Sequence, residues 1–256
     1  MRFQLKKLGF VLLVLSSSSL YAAPDLQQCE SSQCQAIIDA GSSGSRLYIY
    51  AKNNQSQSWQ QIWSKKVTPG LSSIAPSAVG SYFDSLMEPL PSTNMPISVY
   101  GTAGMRLLSE QEQQQRYQAV SSWFQGHAQW QLKNIRTITG QEEGVFAWLA
   151  VQSEMHLLNQ SSQNLKSVIE VGGASTQVTI PVSKQELAQY APEDIYTLNL
   201  KGQPLYVWSK SFLGLGMNEV EKQFSNDTYC YTQGFSLSSG LLGQGDASQC
   251  ISDIAV

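Results

Sequence analysis

Asp39 and Glu170 each end an apolar run, and each precedes a turn built of glycine, serine and alanine. Ile37-Ile38-Asp39-Ala40-Gly41-Ser42-Ser43-Gly44-Ser45-Arg46-Leu47-Tyr48-Ile49 can be laid over Val168-Ile169-Glu170-Val171-Gly172-Gly173-Ala174-Ser175-Thr176-Gln177-Val178-Thr179-Ile180, 131 residues further on (170 − 39). A carboxylate at a strand end can hold a hydrated cation. A turn without bulky side chains lets backbone N–H groups reach phosphate oxygens. Two such units predict two related half-domains facing each other across a cleft, with phosphate chemistry between them.

Four segments carry candidate chemistry. In the first, Gly41 and Gly44 permit close backbone approach, Ser42, Ser43 and Ser45 offer hydroxyls, and Arg46 can grip a phosphate as a fork. Taken alone it is an ordinary hairpin turn. Gly101-Thr102-Ala103-Gly104-Met105-Arg106 follows a strand in the same way, and alone it is a strand-to-helix connection capped by Thr102. Gly140-Gln141-Glu142-Glu143-Gly144 puts two carboxylates at a helix start, where the dipole favours acids and suffices to explain Glu142. A carboxylate there that faced the cleft, Glu143, could orient and deprotonate a water, help worth about 10²–10⁴-fold. In the fourth, Gly172, Gly173 and Ala174 form the turn, while Ser175 and Gln177 could hydrogen-bond an attacking water or a terminal phosphate.

Strands are expected at Gln35–Ala40, Arg46–Ala51, Trp59–Val67, Ile97–Tyr100 and Asn134–Ile138. A second set is expected at Thr176–Ile180, Ile195–Leu200 and Leu205–Trp208. Helices are expected near Ala75–Glu88, Ser109–Gln125 (opened by a Ser109/Glu112 capping box), Glu142–Leu158 and Met217–Phe224. In the third of these, Phe146, Leu149, Ala150 and Leu157 share a face. From Ser225 onward the composition reads as Gly/Ser-rich loop. Hairpins followed by alternating helices and strands indicate an α/β layered fold.

In order and spacing, Asp39–Arg46, Gly101–Leu108, Thr139–Trp148 and Val168–Gln177 resemble the first four conserved regions of the nucleoside triphosphate diphosphohydrolase (apyrase) family. Ser211–Gly216 resembles a fifth, and the likeness runs from about Ile37 to Cys250. The resemblance implies an actin-like ATPase fold of two RNase-H-like domains, here 23–148 and 149–256 with the second incomplete. It implies hydrolysis of nucleoside tri- and diphosphates to the monophosphate with Mg²⁺ or Ca²⁺. Glu143 would be the general base, with Ser175 and Gln177 holding the attacking water. Asp39 and Glu170 would hold the cation through its waters. Ser43, Ser45, Arg46, Thr102 and Ala103 would contact phosphates. The family usually has Asp at the position of Glu170 and Asn at that of Gln152, and its members continue well past Val256. Two other readings are a non-catalytic nucleotide-binding remnant and an actin-like phosphatase acting on polyphosphate.

Residues 1–22 have the order of a secretory leader: Arg2, Lys6 and Lys7, an apolar run from Leu8 to Leu15, then small residues to Ala22. Cleavage after Ala22 removes three of 16 basic residues, leaving 13 against 19 acidic and a formal charge of −6. That balance gives no general electrostatic reason to bind nucleic acid or anionic membrane. No later segment reads as transmembrane, so the expected location is secreted or periplasmic. The four cysteines suit export; of three possible pairings, Cys29–Cys34 and Cys230–Cys250 are favoured by proximity in sequence. Asn54, Asn159 and Asn226 begin N-x-Ser/Thr sequons.

Overall fold

A computed structural model describes residues 29, 33–53, 55, 58–88, 90, 95–158, 164–200, 202–223, 227–237 and 239–254. The leader at 1–22 and the three sequon asparagines lie outside the described residues.

Five strands, β1 (Cys34–Ala40), β2 (Ser45–Lys52), β3 (Trp59–Val67), β4 (Met95–Gly101) and β5 (Trp130–Thr137), form a sheet in the order β3-β2-β1-β4-β5. β1, β2 and β3 are antiparallel, whereas β4 runs parallel to β1 and to β5. Helices α1 (Val79–Met87), α2 (Ala103–Arg106) and α3 (Glu110–Gln125) accompany it. Strand alternation sends Ile38, Leu47, Ile49, Ile97 and Val99 into one hydrophobic cluster with Phe83, Leu86, Val120, Trp123 and Phe124. Asp39 and Arg46 are one residue out of step with that set and so belong to the opposite face. The Ser109/Glu112 capping box that opens α3 is formed.

The second sheet consists of β6 (Val168–Val171), β7 (Ser175–Val182), β8 (Ile195–Leu200) and β9 (Gln203–Leu213), antiparallel in the order β6-β7-β9-β8. The helix between the sheets, α4 (Gly140–Glu154), packs on β6, β7 and β9. The expected cut at 148/149 therefore passes through a helix whose contacts belong to the second sheet. α5 (Met217–Gln223) and α6 (Ala247–Ile254) follow. This is a mixed α/β architecture with two sheets. Both disulfides, Cys29–Cys34 and Cys230–Cys250, are closed.

Three expectations change. α6 lies where loop was expected; Asp246 caps its start by accepting from the N–H groups of Ser248 and Gln249, and the disulfide at Cys250 holds it. β9 continues to Leu213, because its last residues pair with the start of β7 (Ser175↔Leu213, Gln177↔Ser211). The buried stripe of α4 is Gly140, Gly144, Val145, Trp148 and Gln152, while Phe146 is 48% exposed. The sheet chooses that stripe: its helix-facing side carries the buried polar residues Ser175, Gln177, Thr179 and Ser209. Against hydroxyls, a helix gains most by close backbone approach and hydrogen bonding. Thr179 and Ser209 bond each other at 2.9 Å, and Ser209 donates to the Gln141 carbonyl at 3.2 Å.

Candidate active site

The two glycine turns face each other. Asp39, Gly41, Ser42, Ser43, Gly44 and Arg46 line one wall of a cleft, joined by Thr102 and Ala103 at the start of α2. Glu170, Gly172, Gly173 and Ser175 line the other, and Glu143 lies between. A Cβ on Gly173 would come within 2.6 Å of the Ser42 hydroxyl, so the second turn must be glycine for the first to lie against it. The cleft measures about 100 Å³.

Other sequence-expected residues stand outside this lining. Ser45 alternates with Arg46, so it points to the buried side of β2 at 1% exposure. Gly101 packs under the Tyr117 hydroxyl, and Ala174 is buried. Gln177 is buried behind the wall, where its amide N–H donates to Glu143 Oε2 (3.3 Å), to Ser211 Oγ (3.1 Å) and to Ser175 Oγ. Gln152 also lies behind: its side chain bonds Lys166 N (2.9 Å) and O (3.1 Å), tying the end of α4 to the approach of β6.

Local sequence sets where Glu143 sits. Thr139 caps α4, accepting from Glu142 N, while Glu142 accepts from Thr139 N and pairs with Arg136 at 2.9 Å. Glu142 is thus spent on the cap, and Glu143, one residue on, reaches the cleft. Arg106 ends the second motif, and its position in the sequence alone assigns it no role. It donates to Glu143 Oε2 (2.8 Å), the Ile138 carbonyl (3.2 Å) and Ser175 Oγ (3.2 Å), joining α2 to both α4 and β7. Among the described residues, the side-chain hydrogen bonds to Glu143 fall on Oε2 and none on Oε1. Lys66 also lines the cleft. The pairing of β2 with β3 sets it directly opposite Arg46.

The electrostatics single out two carboxyls. Burial first, then the Glu143 charge, raises Asp39 to about 6, with Arg46 opposing. Burial, Glu143 and Asp39 raise Glu170 to about 7, with Arg106 opposing. Asp39 Oδ1 and Glu170 Oε2 are buried without a hydrogen-bond partner. Orphaned, mutually repelling carboxylate oxygens are the hard donor set of a Mg²⁺- or Ca²⁺-sized cation. Among the described residues no group of three or more His, Cys, Asp or Glu is placed to hold a metal ion directly.

Gly140 and Gly144 set how close Glu143 comes. A Cβ on Gly144 would lie 2.5 Å from Ser209 Oγ and 2.7 Å from Thr179 Oγ1, and one on Gly140 2.2 Å from Ser211 Oγ. Gly144→Ala should lift α4, costing about 1–3 kcal/mol as overpacking does. A Ser209→Gly partner substitution should recover much of that loss. Denaturant midpoints measure the pair; an unchanged midpoint for Gly144→Ala would refute the close seat.

Residues 26–238 match the model of the GDA1/CD39 (nucleoside phosphatase) family. Nucleoside-triphosphatase ntp-1 of Caenorhabditis elegans is 30% identical over 216 residues, covering 74% of this chain and 40% of its own. Ectonucleoside triphosphate diphosphohydrolase 1 of Mus musculus is 31% identical over 212 residues, 72% of this chain and 41% of its own. Guanosine-diphosphatase of Schizosaccharomyces pombe is 30% identical over 202 residues, 73% and 36%. The chain thus spans about 40% of the length of the curated relatives it matches. Among solved structures, an exopolyphosphatase from Cytophaga hutchinsonii ATCC 33406 superposes with a TM-score of 0.45 at 13% identity, covering 88% of this chain and 61% of that one.

Proposed function

Since the chain belongs to the GDA1/CD39 (nucleoside phosphatase) family, we propose that it removes terminal phosphates from nucleoside tri- and diphosphates by in-line attack of water. The observation that carries this reading is the meeting of Asp39, Glu143, Glu170 and both glycine turns in one cleft.

Water attacks the terminal phosphorus, its proton passes to Glu143 Oε1, and the bridging P–O bond breaks to release the shortened nucleotide. Ser175 orients that water, and Gln177, from behind the wall, holds the Glu143 carboxylate with Arg106. The backbone N–H groups of Gly41–Gly44, Gly173 and Ala174, with Thr102, Ala103 and Arg46, bind the phosphate oxygens. Fixed donors aimed at developing charge supply most of the stabilisation in such a transfer. Asp39 and Glu170 would hold Mg²⁺ or Ca²⁺ through its waters; when bound, such a cation supplies charge neutralisation to the phosphate chain.

The closed disulfides favour an oxidising compartment, and among the described residues no helix is long and apolar enough to cross a membrane. We therefore place the chain outside the cytoplasm, released by cleavage near Ala22, with the two units dividing at Thr139. Phosphate release from ATP and ADP with Mg²⁺ or Ca²⁺ tests the activity. ATP-analogue binding without release would leave a nucleotide-binding module, and release from polyphosphate alone would change the substrate class.

A further inference from the structure

The donors that both glycine turns offer are backbone N–H groups, and a backbone N–H has no rotamer of its own. Its direction is fixed by the carbonyl of the same peptide, because a trans peptide is planar with C=O and N–H pointing opposite ways. Whatever holds the carbonyl therefore aims the donor.

In the first turn the carbonyls of Gly41 and Ser42 face Gly70, in the connection from β3 to α1. A Cβ on Gly70 would lie 2.3 Å from Gly41 O, 2.4 Å from Ser42 O and 2.7 Å from Ser42 C. All three are main-chain atoms, so no side chain can swing aside to make room. The N–H groups on those two peptides belong to Ser42 and Ser43. Both residues line the cleft, while Gly70 stands outside its lining. Gly70 is held in turn from the core: Tyr82 of α1 is buried, and its hydroxyl donates to the Pro69 carbonyl at 2.8 Å.

The second turn is held alike by different parts. Its Gly172 carbonyl accepts from Met217 N (2.9 Å) and its Gly173 carbonyl from Asn218 N (2.8 Å), both at the start of α5. The N–H groups on those peptides, of Gly173 and Ala174, are thereby turned away from α5. The contact again closes over a glycine: a Cβ on Gly216 would lie 2.4 Å from Gly173 C, Ala174 N and Ser175 N. The Gly172 N–H is spent within the turn, on Ser175 O at 2.9 Å.

We propose that Gly70 and Gly216 are positioning residues, each seated against the back of one turn and keeping its N–H groups aimed at phosphate oxygens. A methyl group at either would push the peptides in front of it and misdirect the donors of that turn alone. This assignment rests on the phosphate reading of the cleft and adds what holds its donors in place.

Amide ¹H–¹⁵N spectra and calorimetry of the full chain with pyrophosphate at fixed Mg²⁺ test it. In the wild type, pyrophosphate should shift the amides of Ser42, Ser43, Gly173 and Ala174. Gly70→Ala should abolish the shifts at Ser42 and Ser43 and keep those at Gly173 and Ala174; Gly216→Ala should do the reverse. Each should weaken pyrophosphate about tenfold, the low end for one hydrogen bond to a charged group. Gly80→Ala is the control: its Cβ would meet nothing closer than Trp123 Cδ1 at 3.9 Å, and it should change affinity less than twofold. Tyr82→Phe frees Pro69 without adding bulk and should reduce the Ser42 and Ser43 shifts alone, which keeps the idea testable should Gly70→Ala unfold. Loss of all four shifts together in a folded variant, or unchanged shifts and affinity, would overturn the positioning role. Wild-type amides indifferent to pyrophosphate would overturn the phosphate reading along with it. If the shifts behave as expected while ATP and ADP release no phosphate, the positioning role stands and the hydrolase reading falls.

Discussion

Glu143→Gln should lower kcat for ATP by about 10²–10⁴-fold, the usual worth of a positioned general base, with little change in KM. The amide keeps the shape of the carboxylate and can still accept from Arg106 and Gln177, so the wall of the cleft stays in place. It loses only the capacity to take a proton at the open oxygen. Single-turnover phosphate release at saturating cation is the measurement, with circular dichroism to confirm the fold. Equal rates in the two proteins would remove Glu143 from its assigned role and leave the cleft as a binding site.

The second large effect is on stability and runs through pH. Asp39 and Glu170 have folded-state values of about 6 and about 7, above their ordinary 3.8 and 4.5. The native state therefore holds protons that the unfolded chain has already released. Without a divalent cation, stability should be greatest below about pH 4 as far as these two groups are concerned. It should fall as pH rises through 6 and 7, since stability drops wherever the native state binds more protons. A cation competes with those protons, so added Mg²⁺ or Ca²⁺ should stabilise strongly near pH 8 and little near pH 4. At a hundredfold excess over its dissociation constant the gain is about 2.7 kcal/mol, or roughly 5–10 °C for a chain of this size. Melting curves against pH with and without the cation measure this. The double variant Asp39→Asn, Glu170→Gln should flatten both dependences; a cation shift of the same size at both pH values would refute the assignment.

Much of this cleft was legible in the sequence because glycine and small residues beside an acid have few other uses at a strand end. Asp39, Glu170 and Glu143 could be picked out by type and spacing, and the first sheet by its alternation of apolar residues. Legibility failed where side chains act across distance. Arg106 looked like the tail of a motif, and its contacts with α4 and β7 depend on how the two sheets meet. Lys66 is one of two adjacent lysines, and only the register of β2 with β3 sets it opposite Arg46. In α4, the apolar pattern pointed to Phe146 and Leu149. The face that is buried instead is set by glycines meeting hydroxyls, a combination that hydrophobic periodicity does not register.

Among the described residues the large hydrocarbon cluster runs from Cys34 to Trp130, whereas the second sheet meets its helix largely through serine, threonine and glutamine, with Val145 and Trp148 beside them. The two sides of the cleft are thus anchored with unequal firmness. Amide protons of β1 and β4 should exchange only with global unfolding, and those of β6 and β7 through cheaper, partial openings. A ligand bridging both sides would then slow exchange mainly on one of them, so the cleft would borrow its rigidity from whatever occupies it.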